Sequence, residues 1–242
     1  MRILVLLPLL LLPFNLYAAD ETKQDSKDKA WKGEAELGLL TTSGNTDTQS
    51  LNAKLAVEYQ KSEWTHLFRA ETLRAEDSGA KTADRKMLFY RARYQLAHAN
   101  FLFGSLRYDD DPFAGYDRRT TEVVGYGHQI LREETLKWDV EAGLGGRQTE
   151  YTDATSSSEG IVRLATNFEW RFTDTSTFKQ EVFVEHGSEN TLTEATSDLK
   201  VKINSALAMK LSYKVRDNSD VPVGIEHTDT ETAVTLVYDF LK

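Results

Sequence analysis

Residues 232–240 read TAVTLVYDF and alternate strictly between two faces near the end of the chain. One face is lipophilic and ends in aromatic rings: Thr232, Val234, Leu236, Tyr238 and Phe240. Because successive side chains of a β-strand point to opposite sides, this period of two predicts a strand with one lipophilic face. Leu241 and Lys242 follow, so the last aromatic ring lies two residues before the final residue.

The same alternation recurs along the chain and predicts an all-β fold. The predicted strands span 33–42, 48–59, 63–74, 85–96, 100–109, 119–130, 137–147, 160–172, 177–186, 196–204, 206–216 and 229–240. Most are close to the ~9–11 residues with which a tilted strand crosses a bilayer. We therefore expect a closed antiparallel transmembrane β-barrel of about 12 strands in the cell outer membrane, with both termini in the periplasm. Its last strand is expected to pair with the first, so that no edge stays open.

The predicted connections differ in length between the two ends of the barrel. Those assigned to the periplasm are short and lie at 60–62, 97–99, 132–136, 173–176 and near Ser205. Those assigned to the outside are longer and polar, at 75–84, 110–118, 148–159, 187–195 and 217–228, with 43–47 as a short exception. This asymmetry is typical of outer-membrane barrels.

The composition of the chain indicates its domain organisation and limits the classes of partner that it can bind. Residues 1–19 resemble a secretory signal peptide, residues 20–30 a charged, disordered periplasmic lead-in, and residues 31–242 form the barrel. The chain has no cysteine, which excludes a lipoprotein anchor and disulfide bonds. Its net charge of -9 argues against a nucleic-acid partner. A mean hydropathy of -0.48 is compatible with a barrel, whose strands face lipid only at every second residue.

A lipid-facing exterior leaves the charged face of each strand inside the barrel. The predicted lumen charge cluster, in which basic residues exceed acidic ones, comprises Arg69, Glu71, Arg91, Arg93, Arg107, Glu141, Arg147, Arg163, Glu169, Arg171, Lys200, Lys202, Lys210, Lys214 and Arg216. Two interpretations stay open, because twelve strands lie between a barrel filled by side chains and one with an aqueous channel. Either ion pairs and water fill the lumen, or the lumen is a narrow pore that favours anions.

Aromatic residues cluster at the strand ends assigned to the periplasm and point outward in the predicted register. They are Tyr59, Trp64, Tyr94, Trp138, Trp170, Phe172, Phe178, Tyr238 and Phe240. Amphipathic rings concentrate at membrane–water interfaces, so we expect an aromatic girdle there.

Two further groups of residues are candidates for a catalytic site and a metal site. His186 and Ser188, two residues apart at the outer end of a predicted strand, are candidates for a base and a nucleophile of a lipid hydrolase. A polar strand-to-loop transition accounts for them more simply. Asp109, Asp110 and Asp111 are candidate oxygen ligands for Ca²⁺ or Mg²⁺, although a solvated loop is the simpler account. We expect no catalytic residue, metal or cofactor.

Three stretches together resemble the salt-induced outer-membrane protein family, a domain of unknown function. They are Leu39 to Asp47 with its Ser-Gly-Asn-Thr hairpin, Gly125-Tyr126-Gly127, and Pro222 to Phe240. The resemblance covers about residues 31–242 and implies a Gram-negative outer-membrane barrel with no assigned activity, cofactor or catalytic residue.

The expected function is therefore a structural or stress-related barrel, with a narrow pore as an extension of that role. Alternatives are a lipid hydrolase using His186 and Ser188, and a soluble periplasmic barrel with an apolar interior that binds a ligand. The expected partners are outer-membrane lipid, lipopolysaccharide and the barrel assembly machinery, which would engage the C-terminal strand. We expect a monomer.

Overall fold

The computed structural model describes residues 29–42, 48–96 and 99–241. The predicted signal peptide, most of the predicted lead-in and the 43–47 hairpin lie outside these residues. The first strand begins at Lys29, so the last two residues of the expected lead-in belong to the barrel.

The described residues form twelve strands, and each predicted segment corresponds to one of them. They are β1 (Lys29–Thr42), β2 (Thr48–Lys61), β3 (Trp64–Asp77), β4 (Ala80–Gln95), β5 (Asn100–Asp111), β6 (Tyr116–Arg132), β7 (Leu136–Tyr151), β8 (Ser156–Arg171), β9 (Ser176–Gly187), β10 (Thr191–Lys202), β11 (Leu207–Asn218) and β12 (Thr228–Leu241). A single turn of 3₁₀ helix, Pro112–Ala114, joins β5 to β6. Within this part of the chain, no helix is long and apolar enough to cross a membrane.

Each strand pairs antiparallel with its neighbours in sequence, and β12 pairs with β1 to close the barrel. At this seam Leu37 lies opposite Leu236, and a bulge follows Gly33. A side chain at Gly33 would place its Cβ about 2.5 Å from the ring of Phe240. The missing side chain therefore makes room for the last aromatic ring, and the seam leaves no open edge.

The barrel has two ends, which differ in the residues and turns that they contain. The terminal end contains Lys29 and Leu241, and the hairpin end contains the turns after the odd-numbered strands. The prediction of long polar loops at the hairpin end is mostly wrong. Ser78 and Gly79 alone join β3 to β4, with φ of 52° and 79°, which suits a tight two-residue hairpin.

Most of the polar residues assigned to loops instead lengthen the strands beyond the apolar band. Residues 152–155 and 188–190 are short turns, and among the described connections of this end only 219–227 is long. In the first of these turns, Thr155 donates two hydrogen bonds to Asp153, which lowers the pKa of the Asp153 carboxyl. The polar hairpin end is therefore largely ordered sheet.

The two faces of the wall differ as the alternation predicts. On β11, Met209, Leu211 and Tyr213 point outward and are exposed, whereas Lys210 and Lys214 point inward and are buried. This is the reverse of a water-soluble barrel, in which apolar side chains fill the interior. The soluble alternative required an apolar interior and is therefore wrong.

Candidate functional site

The candidate site is the lumen, where ion pairs join strands on opposite sides of the barrel. Arg69 on β3 donates two hydrogen bonds to Glu181 on β9, at nitrogen–oxygen distances of 3.1 and 3.0 Å. These strands lie half-way round the ring from one another, as do β5 and β11. Arg216 on β11 donates to Asp111 on β5 at 3.4 Å. Side chains that meet between opposite strands must cross the lumen, so the interior is bridged.

A dense group of charged side chains fills the lumen toward the hairpin end. Arg216 donates to one oxygen of Glu194 through Nε and Nη2, both at 3.0 Å. Arg107 donates to the same oxygen at 3.1 Å and to Asp109 through Nε at 2.8 Å. The side chain of Arg216 is only 3% exposed. We call this group the hairpin-end cluster, and its members are Arg107, Asp109, Asp111, Tyr116, Glu194 and Arg216.

Arginine and asparagine side chains form a second buried group beside this cluster. Arg119 on β6 donates to the side-chain oxygen of Asn218 on β11 at 3.1 Å, and Asn190 donates to the same oxygen at 3.0 Å. Arg147 donates to Glu159 at 2.9 and 2.7 Å and to the backbone oxygen of Asn190. All five residues are buried. Together with the hairpin-end cluster, they form a continuous buried group inside the barrel at this level.

Four of these five residues, all except Arg147, are absent from the sequence prediction. Arg119 and Asn218 lie at inward positions of β6 and β11, so the alternation itself contains the signal that identifies them. Asn190 lies in the turn after β9, where no periodicity indicates which way a side chain points.

Aromatic rings on β5 support two lumen arginines. The guanidinium of Arg93 lies 3.6 Å from the ring centroid of Phe101, and that of Arg91 lies 4.8 Å from the centroid of Phe103. These rings lie against the glycines of residues 125–127 on β6, where an added Cβ would overlap them. The Gly-Tyr-Gly stretch is therefore required by packing: its glycines admit the rings, and stacking on the rings orients the arginines.

The terminal half of the lumen is open to solvent. A cavity of about 240 Å³ lies there, lined by the Arg69–Glu181 pair and by Lys179 and Glu169, among others. Arg69 and Glu181 are 35% and 40% exposed, against 3% for Arg216. The lumen thus has a wet terminal chamber and a dry hairpin-end closure.

Most residues of the predicted lumen charge cluster point inward and have a partner of opposite charge. The further pairs are Arg91 with Glu141, Arg93 with Asp139, Arg163 with Glu185, Lys200 with Glu34 and Asp239, Lys210 with Glu36, and Lys214 with Glu71. Arg171 instead pairs with Glu134 at the exposed terminal rim, and Lys202 is exposed at the end of β10.

The expected excess of basic charge is not found among the described lumen residues. Carboxylates that the sequence prediction left out balance the basic side chains, including Glu36, Glu159, Glu194 and Glu231. Two of these, Glu159 and Glu194, lie in stretches that were assigned to loops but belong to β8 and β10. The lumen therefore offers no ring of unpaired positive charge that would favour anions.

The nine aromatic residues of the predicted girdle all lie at the terminal end, on the outer face of the strands or in an adjoining turn. Several are in contact, such as Trp64 and Tyr94, whose ring centroids are 5.0 Å apart. The prediction missed Trp31, which lies 4.4 Å from Tyr59. Trp31 lies outside the predicted first strand because β1 starts earlier than the alternation indicates.

His186 and Ser188 are not joined by any hydrogen bond among the described residues. His186 is at the outward end of β9, and its Nδ1 lies 2.8 Å from the hydroxyl of Thr191 on β10. Ser188 is exposed in the following turn. The geometry thus supplies neither a base in contact with the serine nor a carboxylate that orients the histidine.

Asp109, Asp110 and Asp111 do not converge on one point. Asp109 and Asp111 face the lumen and are buried in the hairpin-end cluster. Asp110 faces outward and pairs with Lys86 at 3.3 Å. Alternation along β5 separates the three carboxylates, and arginine or lysine neutralises each of them.

A closed antiparallel barrel of twelve strands with an apolar exterior and a polar lumen is the fold of outer-membrane β-barrels. The solved structure of the NanC porin is similar, with a TM-score of 0.55 and 12% identity, over 88% of this chain and 100% of that one. An outer-membrane channel from Pseudomonas putida F1 is similar with a TM-score of 0.52 and 12% identity, over 92% and 100%. These likenesses concern the fold alone.

The chain belongs to the family described as "Protein of unknown function, DUF481", whose model matches residues 35–240. It is 31% identical over 216 residues to the uncharacterized protein YdiY of Escherichia coli strain K12, covering 88% of this chain and 84% of the relative. These matches confirm a family without assigned activity. The association with salt induction stays a prediction.

Proposed function

We propose that the protein is a structural outer-membrane barrel whose lumen is closed to solutes at the hairpin end. One observation carries the proposal: Arg216 on β11 bridges to Asp111 on the opposite strand within a cluster that excludes water. A solute entering the terminal chamber would have to break several buried ion pairs to pass. A buried charge left without its partner costs about 3–5 kcal/mol, so separating several of these pairs to admit a solute is unfavourable.

The polar interior then has a mechanical role. Buried ion pairs such as Arg216–Asp111 and Arg85–Glu231 connect strands that share no backbone hydrogen bonds. They hold the wall together from within, as an apolar core does in a soluble protein. Outside, the apolar band and the aromatic residues of the terminal end anchor the barrel in lipid.

Conductance across planar bilayers tests the closed lumen. The refolded wild-type protein is expected to give no discrete channels. The double variant Arg216→Ala, Tyr116→Ala, which removes two side chains of the hairpin-end cluster, is expected to give them. Arg69→Ala is the matched control, because it widens only the terminal chamber. Heat-modifiable gel migration verifies that each variant is folded, and reproducible channels in the wild type would contradict the proposal.

We further propose that the barrel has a role in salt stress, which rests on the family resemblance alone. A strain that lacks the gene is expected to grow more slowly than the complemented strain on high-salt medium. Equal growth of the two strains would remove this part and leave the closed barrel untouched.

A further inference from the structure

The lipid-facing wall contains a groove between β2 and β5. Its volume is about 450 Å³, within the ~300–1,000 Å³ range of ligand pockets. The groove exists because small side chains lie between large ones in one row across the sheet. In that row Ala70 lies between Leu55 and Leu88, and Tyr108 follows on β5.

The groove continues along β3 toward the hairpin end. The next outward row also has small side chains on β2 and β3, where Ala53 lies beside Thr72. Beyond Thr72 the outward position of β3 is Arg74, and Lys86 is the neighbour of Thr72 on β4. An apolar trench therefore ends at two basic side chains.

The basic side chains at this end extend further into solvent than the carboxylates that pair with them. Arg74 and Lys86 are 55% and 60% exposed, whereas their partners Asp84 and Asp110 are 21% and 30% exposed. The ion-pair distances of 3.8 and 3.3 Å leave the cations further hydrogen-bonding capacity. Lys81, 47% exposed, adds a third cation beside Asp84. An anionic group arriving from the membrane side meets the cations first.

We propose that this groove binds one acyl chain of a phosphorylated glycolipid of the lipid A type, with a phosphate on Arg74 and Lys86. The groove matches the polarity of this ligand. The apolar part of the groove lies in the membrane band, and the charged end of the groove lies at the hairpin end of the barrel. With the termini in the periplasm, that end reaches the outer leaflet, where phosphorylated glycolipids are located. Charge complementarity at the rim and small side chains in the floor are both needed.

Native mass spectrometry of the full-length protein in detergent micelles tests the site, with lipid A, dephosphorylated lipid A and phosphatidylglycerol as separate probes. Wild-type protein is expected to retain one lipid A. Ala70→Phe fills the groove and should lower the bound fraction of all acylated probes by about tenfold. Ala70→Leu serves the same purpose if the larger ring impairs folding, which heat-modifiable migration reports.

The double variant Arg74→Gln, Lys86→Gln should weaken the binding of lipid A by about tenfold and leave the binding of dephosphorylated lipid A unchanged. Arg118→Gln is the matched control, because Arg118 is an equally exposed rim cation on β6, away from the groove. Equal lipid A binding by wild type and Ala70→Phe would overturn the site. Phosphatidylglycerol binding as tight as that of lipid A would overturn the glycolipid assignment. Neither outcome depends on whether the lumen conducts.

Discussion

Replacing Arg216 by methionine is expected to destabilise the barrel by about 3–5 kcal/mol. Arg216 is 3% exposed and donates hydrogen bonds to Glu194 and Asp111, with Asp109 at 3.8 Å. Methionine keeps much of the side-chain length but removes the charge. Asp109 and Glu194 then retain Arg107 as a salt-bridge partner, whereas Asp111 retains the backbone N–H of Ala114 but, among the described residues, no cation within salt-bridge distance. The cost arises from leaving buried charge without a partner of opposite sign.

The matched control lies in the same lumen. Arg69→Met removes a bidentate ion pair of good geometry, but Arg69 and Glu181 are both more than one-third exposed. Water solvates the carboxylate that remains, so the expected loss is at most about 1 kcal/mol.

Urea unfolding in lipid vesicles, followed by tryptophan fluorescence and extrapolated linearly, gives both free energies of unfolding. Similar losses for the two variants, or a loss below about 1 kcal/mol for Arg216→Met, would refute the distinction between a dry closure and a wet chamber.

Other perturbations test the packing of the wall and the hydrolase alternative. Gly125→Val would place its Cβ about 2.4 Å from the backbone oxygen of Ala142 and about 2.6 Å from the ring of Phe103, and overpacking of this kind costs about 1–3 kcal/mol in urea unfolding; unchanged stability would contradict this packing. Gly33→Val should displace Phe240 at the seam and lower the heat-modifiable fraction on gels, whereas a wild-type fraction would argue against this contact. Ser188→Ala should leave phospholipid turnover at the wild-type level, and a selective loss of turnover would favour the hydrolase.

The strands could be predicted from the sequence because a membrane barrel imposes the same rule on every strand. In β11, leucine, methionine and tyrosine alternate with lysine, serine and arginine, and the structure turns each set as this pattern predicts. The strand ends were harder to predict. Beyond the apolar band both faces are polar, so residues such as Glu159 and Glu194 carry no alternating signal although they continue the sheet.

The contacts across the lumen could not be predicted from the sequence. Arg69 and Glu181 are 112 residues apart, and Arg216 is 105 residues from Asp111. Which inward residues meet depends on the stagger between strands, and alternation fixes the face of a residue without fixing its height in the barrel. Phe101 and Phe103 are apolar, but they share the inward face of β5 with Arg107 and their rings lie inside the barrel. Glycines on β6 admit these rings, and arginines cover them.

The unequal wetting of the lumen determines how the barrel responds to salt. At 1 M ionic strength the screening length is about 3 Å, but screening requires that ions and water reach the charges. They reach Arg69 and Glu181 in the terminal chamber, so this pair weakens as salt rises. They do not reach Arg216, whose partners are themselves buried. A concentrated medium is therefore expected to weaken the ion pairs of the terminal chamber while those of the hairpin-end cluster persist.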